Sequence, residues 1–183
     1  MTEPTGNANL RPRAGRFDLS RYDVPHPRPF LLDLTVAGDE LSNVIDHVSN
    51  VEYVRWLDRA AELHADSVGD TRQRLLERDL MWFVARHEID YLAEAHLGDE
   101  LLIATWVRDM KRIRSWRETI IIRPADETTV CRASTLWVLV RLSTRRPARI
   151  AAEMARRFEP WQDLAEGVPT VPGERGDAPC TSR

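Results

Sequence analysis

Ser49-Asn50-Val51-Glu52-Tyr53-Val54-Arg55-Trp56-Leu57-Asp58-Arg59-Ala60-Ala61-Glu62-Leu63-His64-Ala65-Asp66-Ser67-Val68-Gly69 is the stretch on which the fold turns. Val51, Val54, Leu57, Ala61, Ala65 and Val68 recur at helical spacing, and Glu52, Arg55, Arg59, Glu62 and Asp66 share the opposite, charged side. Ser49 followed by Glu52 has the pattern of a capping box, in which each side chain satisfies the other's orphan backbone N–H. Gly69 closes a helix of about five turns, since glycine enters the left-handed cap conformation without a Cβ penalty.

Outward from this helix the pattern changes. Upstream, Phe30–Val36 is an apolar run of strand length, followed by the polar segment Gly38–Asp46. Downstream, a shorter helix fits Thr71–Arg78. From there the period is that of strands: Phe83, Ala85, His87, Ile89 and Tyr91 take one face, and Arg86, Glu88 and Asp90 the other. After the turn signal Gly98-Asp99 come Leu101–Val107, Trp116–Arg123, a turn through Pro124-Ala125-Asp126-Glu127, and Thr128–Leu142. Ala148–Phe158 reads as a closing helix. A strand, a long helix and four strands on short loops predict an α+β architecture, with one antiparallel sheet of about five strands wrapped around a long central helix.

The 183 residues suffice for one domain with a full core, and an apolar fraction of 43% is that of a globular chain. A net charge of −3 gives no electrostatic footing for nucleic acid or an anionic membrane. No stretch approaches the roughly 18 consecutive apolar residues of a membrane span. Cys131 and Cys180 are read as free thiols of a reducing compartment, which places the chain in the cytoplasm. Of the 11 prolines, all but Pro124 and Pro147 fall before Phe30 or from Pro160 onward. Residues 1–28 and 161–183 are therefore expected to be flexible arms, too poor in apolar surface to offset their ordering entropy, around a body of 29–160.

His47-Val48-Ser49-Asn50-Val51-Glu52-Tyr53-Val54-Arg55-Trp56-Leu57-Asp58 resembles the signature of the hot-dog acyl thioesterases, of the 4-hydroxybenzoyl-CoA and acyl-carrier-protein thioesterase types. That signature runs Asp-x-Asp, a short loop, His-Val-Asn-Asn-x-x-Tyr, and an acidic residue five places after the Tyr. His47, Val48, Asn50, Tyr53 and Asp58 match it, and Ser49 replaces the first Asn. Val84–Leu92 with Leu97-Gly98-Asp99-Glu100 is similar to the family's first strand after the helix and its turn. Leu136–Val140 and Arg146–Ile150 look like its last strand and exit. The resemblance implies a hot-dog fold, hydrolysis of an acyl-CoA or acyl-carrier-protein thioester without metal or cofactor, and an active site at the interface of a homodimer or homotetramer. The helix N-terminus, with its free N–H groups and positive dipole end, suits the oxyanion of such a reaction.

One departure bears on mechanism. The second Asp of Asp-x-Asp, the family's base or nucleophile, falls on Asn43, and the first on Leu41. An amide is no useful base, so Asn43 is read as positioning water or carbonyl. Asp58 is the candidate carboxylate, with a salt bridge to Arg55 or a strand arginine as the alternative. Asp46 and Asp39 are read as loop or capping aspartates. The chain also looks like the enediyne polyketide thioesterases of this fold, which carry Asn at the equivalent position and are thought to orient water and substrate with Asn, Tyr and Arg. A β-ketoacyl thioester would be activated enough for such a site.

The site expected from sequence is thus Asn43, His47 and Asp58 for catalysis, with Asn50, Tyr53 and Arg112 for substrate binding. Asn50 is read alternatively as a helix cap, Tyr53 as a core residue, and His64 and His87 as core or interface histidines. Arg108, Lys111, Arg112 and Arg114 form a basic cluster at a turn, read as a solvated hairpin tip or as an anchor for coenzyme A phosphates or an acidic carrier protein. The five histidines lack metal-ligand spacing. Two rival readings stand: a hot-dog protein that binds acyl thioesters but lost catalysis with its Asp, and a hot-dog dehydratase. The dehydratase signature Asp-x-Asn-Pro-x-His is poorly met, because Asn43-Val44-Ile45-Asp46-His47 has no proline.

Overall fold

A computed structural model describes residues 9–162. Its strands are β1 (Arg11–Pro12), β2 (Phe30–Thr35), β3 (Leu80–Tyr91), β4 (Glu100–Lys111), β5 (Arg114–Arg123), β6 (Thr128–Arg141) and β7 (Arg146–Pro147). Its helices are α1 (Asn50–Ser67), α2 (Arg72–Glu77) and α3 (Ala152–Arg157). All pairings are antiparallel, in the order β1-β2-β4-β5-β6-β3, with β7 beside β6. This is the sheet around one long helix that the sequence predicts.

The helix meets the sheet through Tyr53, Trp56 and Ala60, which pack with Leu32, Leu34, Ile103, Ile121 and Cys131. Full burial of each large side chain contributes about 1.5–3 kcal/mol. Cys131 is a buried free thiol; Cys180 lies outside the described residues. Toward the far end of α1 a second cluster joins Leu75, Leu80, Val107, Leu139, Met154 and Phe158.

Four expectations are corrected. Ser49 is the N-cap of α1, but its side chain makes no capping hydrogen bond. Glu52 is buried and pairs with Arg55 at 2.6 Å, while Val51, expected on the apolar face, is 57% exposed. The steady alternation expected along β3 breaks at a bulge between Val84 and Arg86. An extra residue reverses the face of everything beyond it, so Ile89 packs on the core while Phe83 is exposed. The closing helix is α3, shorter than Ala148–Phe158, because Ala148 N donates to the Leu139 carbonyl at 2.8 Å and Ile150 N to the Arg112 carbonyl at 2.7 Å, which hold that stretch against the sheet instead.

A further correction concerns the N-terminal arm. Leu10 and Tyr22 are buried, and Phe17, Leu19 and Val24 pack with Tyr22 over Leu102, Ala104, Trp106, Ile120 and Ile122. These last five lie on the sheet face turned away from α1, so β4 is buried on both sides. Arg13 pairs with Asp33, and His26 Nε2 lies 2.9 Å from the Glu159 carbonyl, which ties the segment at both ends. Of the C-terminal tail expected from 161, only Trp161 and Gln162 belong to the described residues.

Candidate active site

The loop before α1 is clamped at both ends. Leu41 and Val48 form an isolated antiparallel bridge, Ser42 N donates to the His47 carbonyl at 2.7 Å, and Ser49 N donates to the Glu40 carbonyl at 2.9 Å. Glu40 is the anchor beneath it. Its buried carboxylate accepts from Ala37 N at 2.8 Å and from Trp56 Nε1 at 2.9 Å, tying the loop to the underside of the helix. Val48 N donates to the Ala95 carbonyl at 2.8 Å, which brings the segment after β3 against the same loop.

That contact places three titratable side chains before the N-terminus of α1. His47 Nδ1 lies 3.4 Å from Glu94 Oε1, and His96 Nε2 lies 3.7 Å from Glu94 Oε2. His96 Nδ1 is 2.6 Å from the Asp46 carbonyl. Arg123 Nη1 donates to the Glu94 carbonyl at 2.9 Å and to Asp99 at 2.8 Å, fixing the turn that carries Glu94. His47 is half-shielded, with its side chain 24% exposed. A histidine with one ring nitrogen on a carboxylate has the other free to take a proton. Among the described residues no group of three or more His, Cys, Asp or Glu is placed to hold a metal.

Residues 40–158 match the family model of the Thioesterase-like superfamily. The chain belongs to that superfamily. The chain is similar to a chloroplastic acyl-[acyl-carrier-protein] hydrolase of Cuphea viscosissima, 26% identical over 79% of this chain and 32% of that protein. A chloroplastic oleoyl-acyl carrier protein thioesterase of Coriandrum sativum is 29% identical over 86% of this chain and 43% of that protein. The chain thus spans about a third of the length of the first of these relatives. Among solved structures, the 1,4-dihydroxy-2-naphthoyl-CoA thioesterase Slr0204 of Synechocystis superposes with a TM-score of 0.63 at 20% identity, over 79% of this chain and 100% of that one. The SAV2348 protein of Staphylococcus aureus, solved in complex with CoA, gives 0.68 at 15% identity, over 85% and 96%. The shared fold is the hot-dog.

In this thioesterase-like chain the residues expected to form the site are spread over three places. Asn43 is exposed at the loop tip beside Val44, which is 88% exposed. His47 stands below it with Glu94. Asn50 is the first residue of α1 rather than its cap, and its carbonyl accepts from the Tyr91 hydroxyl at 3.4 Å. Tyr53 is a core residue within the chain, its ring 4.8 Å from Trp56 and 5.2 Å from Tyr91, and burial pushes its hydroxyl up to about 12. Tyr53 thus takes the core position that was the alternative reading of it from sequence.

Asp58 lies two turns further along α1 and makes no contact with Asn43 or His47. It keeps solvent on one side. Even so, the protein around it disfavours its charge and raises the carboxyl above the usual range, with Arg72 pulling the other way. His87 of β3 faces it. Burial lowers the His87 imidazole while Asp58 opposes that shift, and His87 Nδ1 lies 3.0 Å from Thr135 Oγ1. Arg112 is at the β4–β5 hairpin tip at φ 58, where its carbonyl accepts from Ile150 N at 2.7 Å. The basic cluster around it is partly consumed: Arg108 pairs with Glu118 at 2.7 Å, and Lys111 donates to Gln162 at 2.8 Å.

Glu94 is the residue that sequence reasoning missed. It lies far along the chain from His47, and no periodicity joins a loop residue to a turn residue. The available signal was a carboxylate flanked by His96 just ahead of the Gly98 turn.

Proposed function

We propose that this chain hydrolyses an acyl thioester, carried on coenzyme A or an acyl carrier protein, to the free acid and the thiol. The observation that carries the reading is the His47–Glu94 pair at the start of α1, within a chain of the thioesterase-like superfamily. Glu94, 3.4 Å from Nδ1, orients the His47 ring so that the Nε2 lone pair removes a proton as water attacks the carbonyl carbon. The oxygen of the tetrahedral intermediate takes the negative charge. The N–H groups of Asn50 and Val51, which precede the first intrahelical bonds, together with the helix dipole, favour it. Collapse breaks the carbon–sulfur bond, and the departing thiolate recovers the proton from His47. Asn43 orients the water from the loop tip. The working unit is a homo-oligomer joined through the free edge at β3.

The test is thiol release from a panel of acyl-CoA and acyl-carrier-protein thioesters that includes β-ketoacyl chains. Steady turnover is expected on at least one member, falling by roughly 10²–10⁴-fold in His47→Ala and less steeply in Glu94→Gln. Undiminished turnover in both variants would sink this assignment. A second reading makes Asp58 the base, favoured by its raised carboxyl pKa; a variant pattern in which only Asp58→Asn abolishes turnover selects it. No thiol release from folded protein on any member would leave an acyl-thioester-binding protein.

A further inference from the structure

The end of the sheet opposite His47 gathers positive charge. Arg112, Arg114, Arg145, Arg146, Arg149 and Arg156 are exposed there, and none has an ion-pair partner among the described residues. The backbone and the register make this arrangement unfavourable. Arg112 opens the two-residue loop between β4 and β5 at φ 58, and Arg145 closes the loop between β6 and β7 at φ 56. Left-handed backbone suits glycine and penalises a residue with a Cβ. Lys111 is registered opposite Arg114, and Arg141 opposite Arg146. Like charges directly opposite each other on a sheet are destabilising. Of these four, only Arg141 has an acidic neighbour among the described residues, Asp79 at 3.6 Å.

Three of these arginines share one groove of about 410 Å³ between the β4–β5 hairpin tip and α3. Arg112, Arg149 and Arg156 line it together with the apolar Met110, Ile150 and Ala155. The hydrogen bond from Ile150 N to the Arg112 carbonyl, at 2.7 Å, joins its two sides. No carboxylate belongs to the lining among the described residues, and Glu153, the one acidic residue of α3, stands outside it. Three guanidinium groups around an apolar patch are the complement of an anion with more than one charged group and an organic body.

We propose that this groove binds an organic diphosphate, with Arg112, Arg149 and Arg156 on the phosphoryl oxygens and the organic part against Met110, Ile150 and Ala155. The planar fork of a guanidinium matches phosphate oxygens two at a time. A single carboxylate fills one fork and leaves two charges unbalanced, whereas a diphosphate supplies oxygens for all three. The groove is remote from His47 of the same chain. β4 runs from Glu100, just past the turn that faces His47, to Lys111 at the hairpin, and 12 residues at about 3.3 Å each span about 36 Å. The inference therefore goes beyond the reading of the chain as a hydrolase and does not depend on it. Two sources share the chemistry: a free nucleoside diphosphate, and the diphosphate of coenzyme A.

The experiment is calorimetric titration of the full chain with ADP, coenzyme A and AMP. Binding of ADP, coenzyme A or both is expected, with AMP weaker by roughly 10-fold or more, because it lacks the second phosphoryl group. Coenzyme A bound at least 10-fold more tightly than ADP assigns the groove to that carrier, and any smaller advantage assigns it to the free nucleotide. Arg112→Gly removes one fork and also relieves the left-handed backbone. Its Tm is expected to hold or rise while affinity falls by roughly 10- to 100-fold, the range of a hydrogen bond to a charged group. Arg149→Gln is expected to weaken binding to a similar degree. Silence toward both diphosphates at millimolar concentration overturns the proposal, and so does AMP bound as tightly as either. Undiminished affinity in either variant also overturns it, since the diphosphate then sits elsewhere on the molecule. The readout is binding rather than thiol release, so a failure of the hydrolase reading leaves this site standing, and the reverse holds as well.

Discussion

His64 occupies a place where an imidazolium is untenable, and that fixes one pH response of the molecule. Burial first, then the Arg117 charge and His26, push it from the ordinary 6.5 down to about 2. The unfolded chain takes up a proton near pH 6.5 that the native chain refuses, so this contribution is fully present above about pH 6.5 and is lost as pH falls below it. His87, lowered by burial, acts in the same direction. Between pH 6.5 and 5, His64 contributes a limiting slope of about 1.4 kcal/mol per pH unit. His64→Gln keeps an acceptor for Arg117 and removes the titration. Its Tm is expected to fall less than that of the unaltered protein between pH 7 and pH 5, and parallel curves from differential scanning calorimetry would contradict the assignment.

The two helix starts make opposite predictions at the scale of the element. Thr71 Oγ1 accepts from Arg74 N at 3.2 Å, so Thr71→Ala is expected to cost about 1 kcal/mol. Ser49, whose side chain makes no such bond, is expected to tolerate alanine within about 0.5 kcal/mol. Urea melts of both variants check the pair, and the reverse order of losses would show that α1 is capped after all. The same elements show what could be read from the chain. The long helix was legible from the helical spacing of its apolar residues, and β2 and β6 from apolar, β-rich runs of strand length. The bulge in β3 was not, because Ala85 carries no mark distinguishing an extra residue from a regular one. The signal for the N-terminal segment was present but masked by its Pro, Gly and Arg content: Phe17 and Leu19, then Tyr22 and Val24, are spaced two apart. The run Leu101-Leu102-Ile103-Ala104, apolar on both faces, required a cover that this segment supplies. Of the site, His47 was legible from its motif, whereas its pairing with Glu94 exists only through the Val48–Ala95 hydrogen bond.

For the whole molecule, the informative feature is the free side of the sheet. β3 ends the strand order and exposes Phe83, Val84 and Tyr91, with Leu92 just beyond. Val44, Ile45 and Val51 are exposed on the loop and at the start of α1, where Tyr91 meets Asn50. An apolar edge strand is a template for another strand, and the proposed oligomer forms there. Sedimentation velocity is expected to show a dimer for the intact protein and a monomer for Phe83→Lys combined with Val84→Lys, with little change in Tm. A monomeric intact protein would refute this. The N-terminal segment then sets the limit of assembly. With Tyr22, Phe17 and Leu19 already laid over the outer face, two sheets cannot stack back to back without displacing them. At the opposite edge, β1 offers only Arg11–Pro12. Growth of the proposed oligomer is thus expected to run in a single direction and to end after one addition, since among the described residues the remaining edge and outer face offer no comparable surface for a filament.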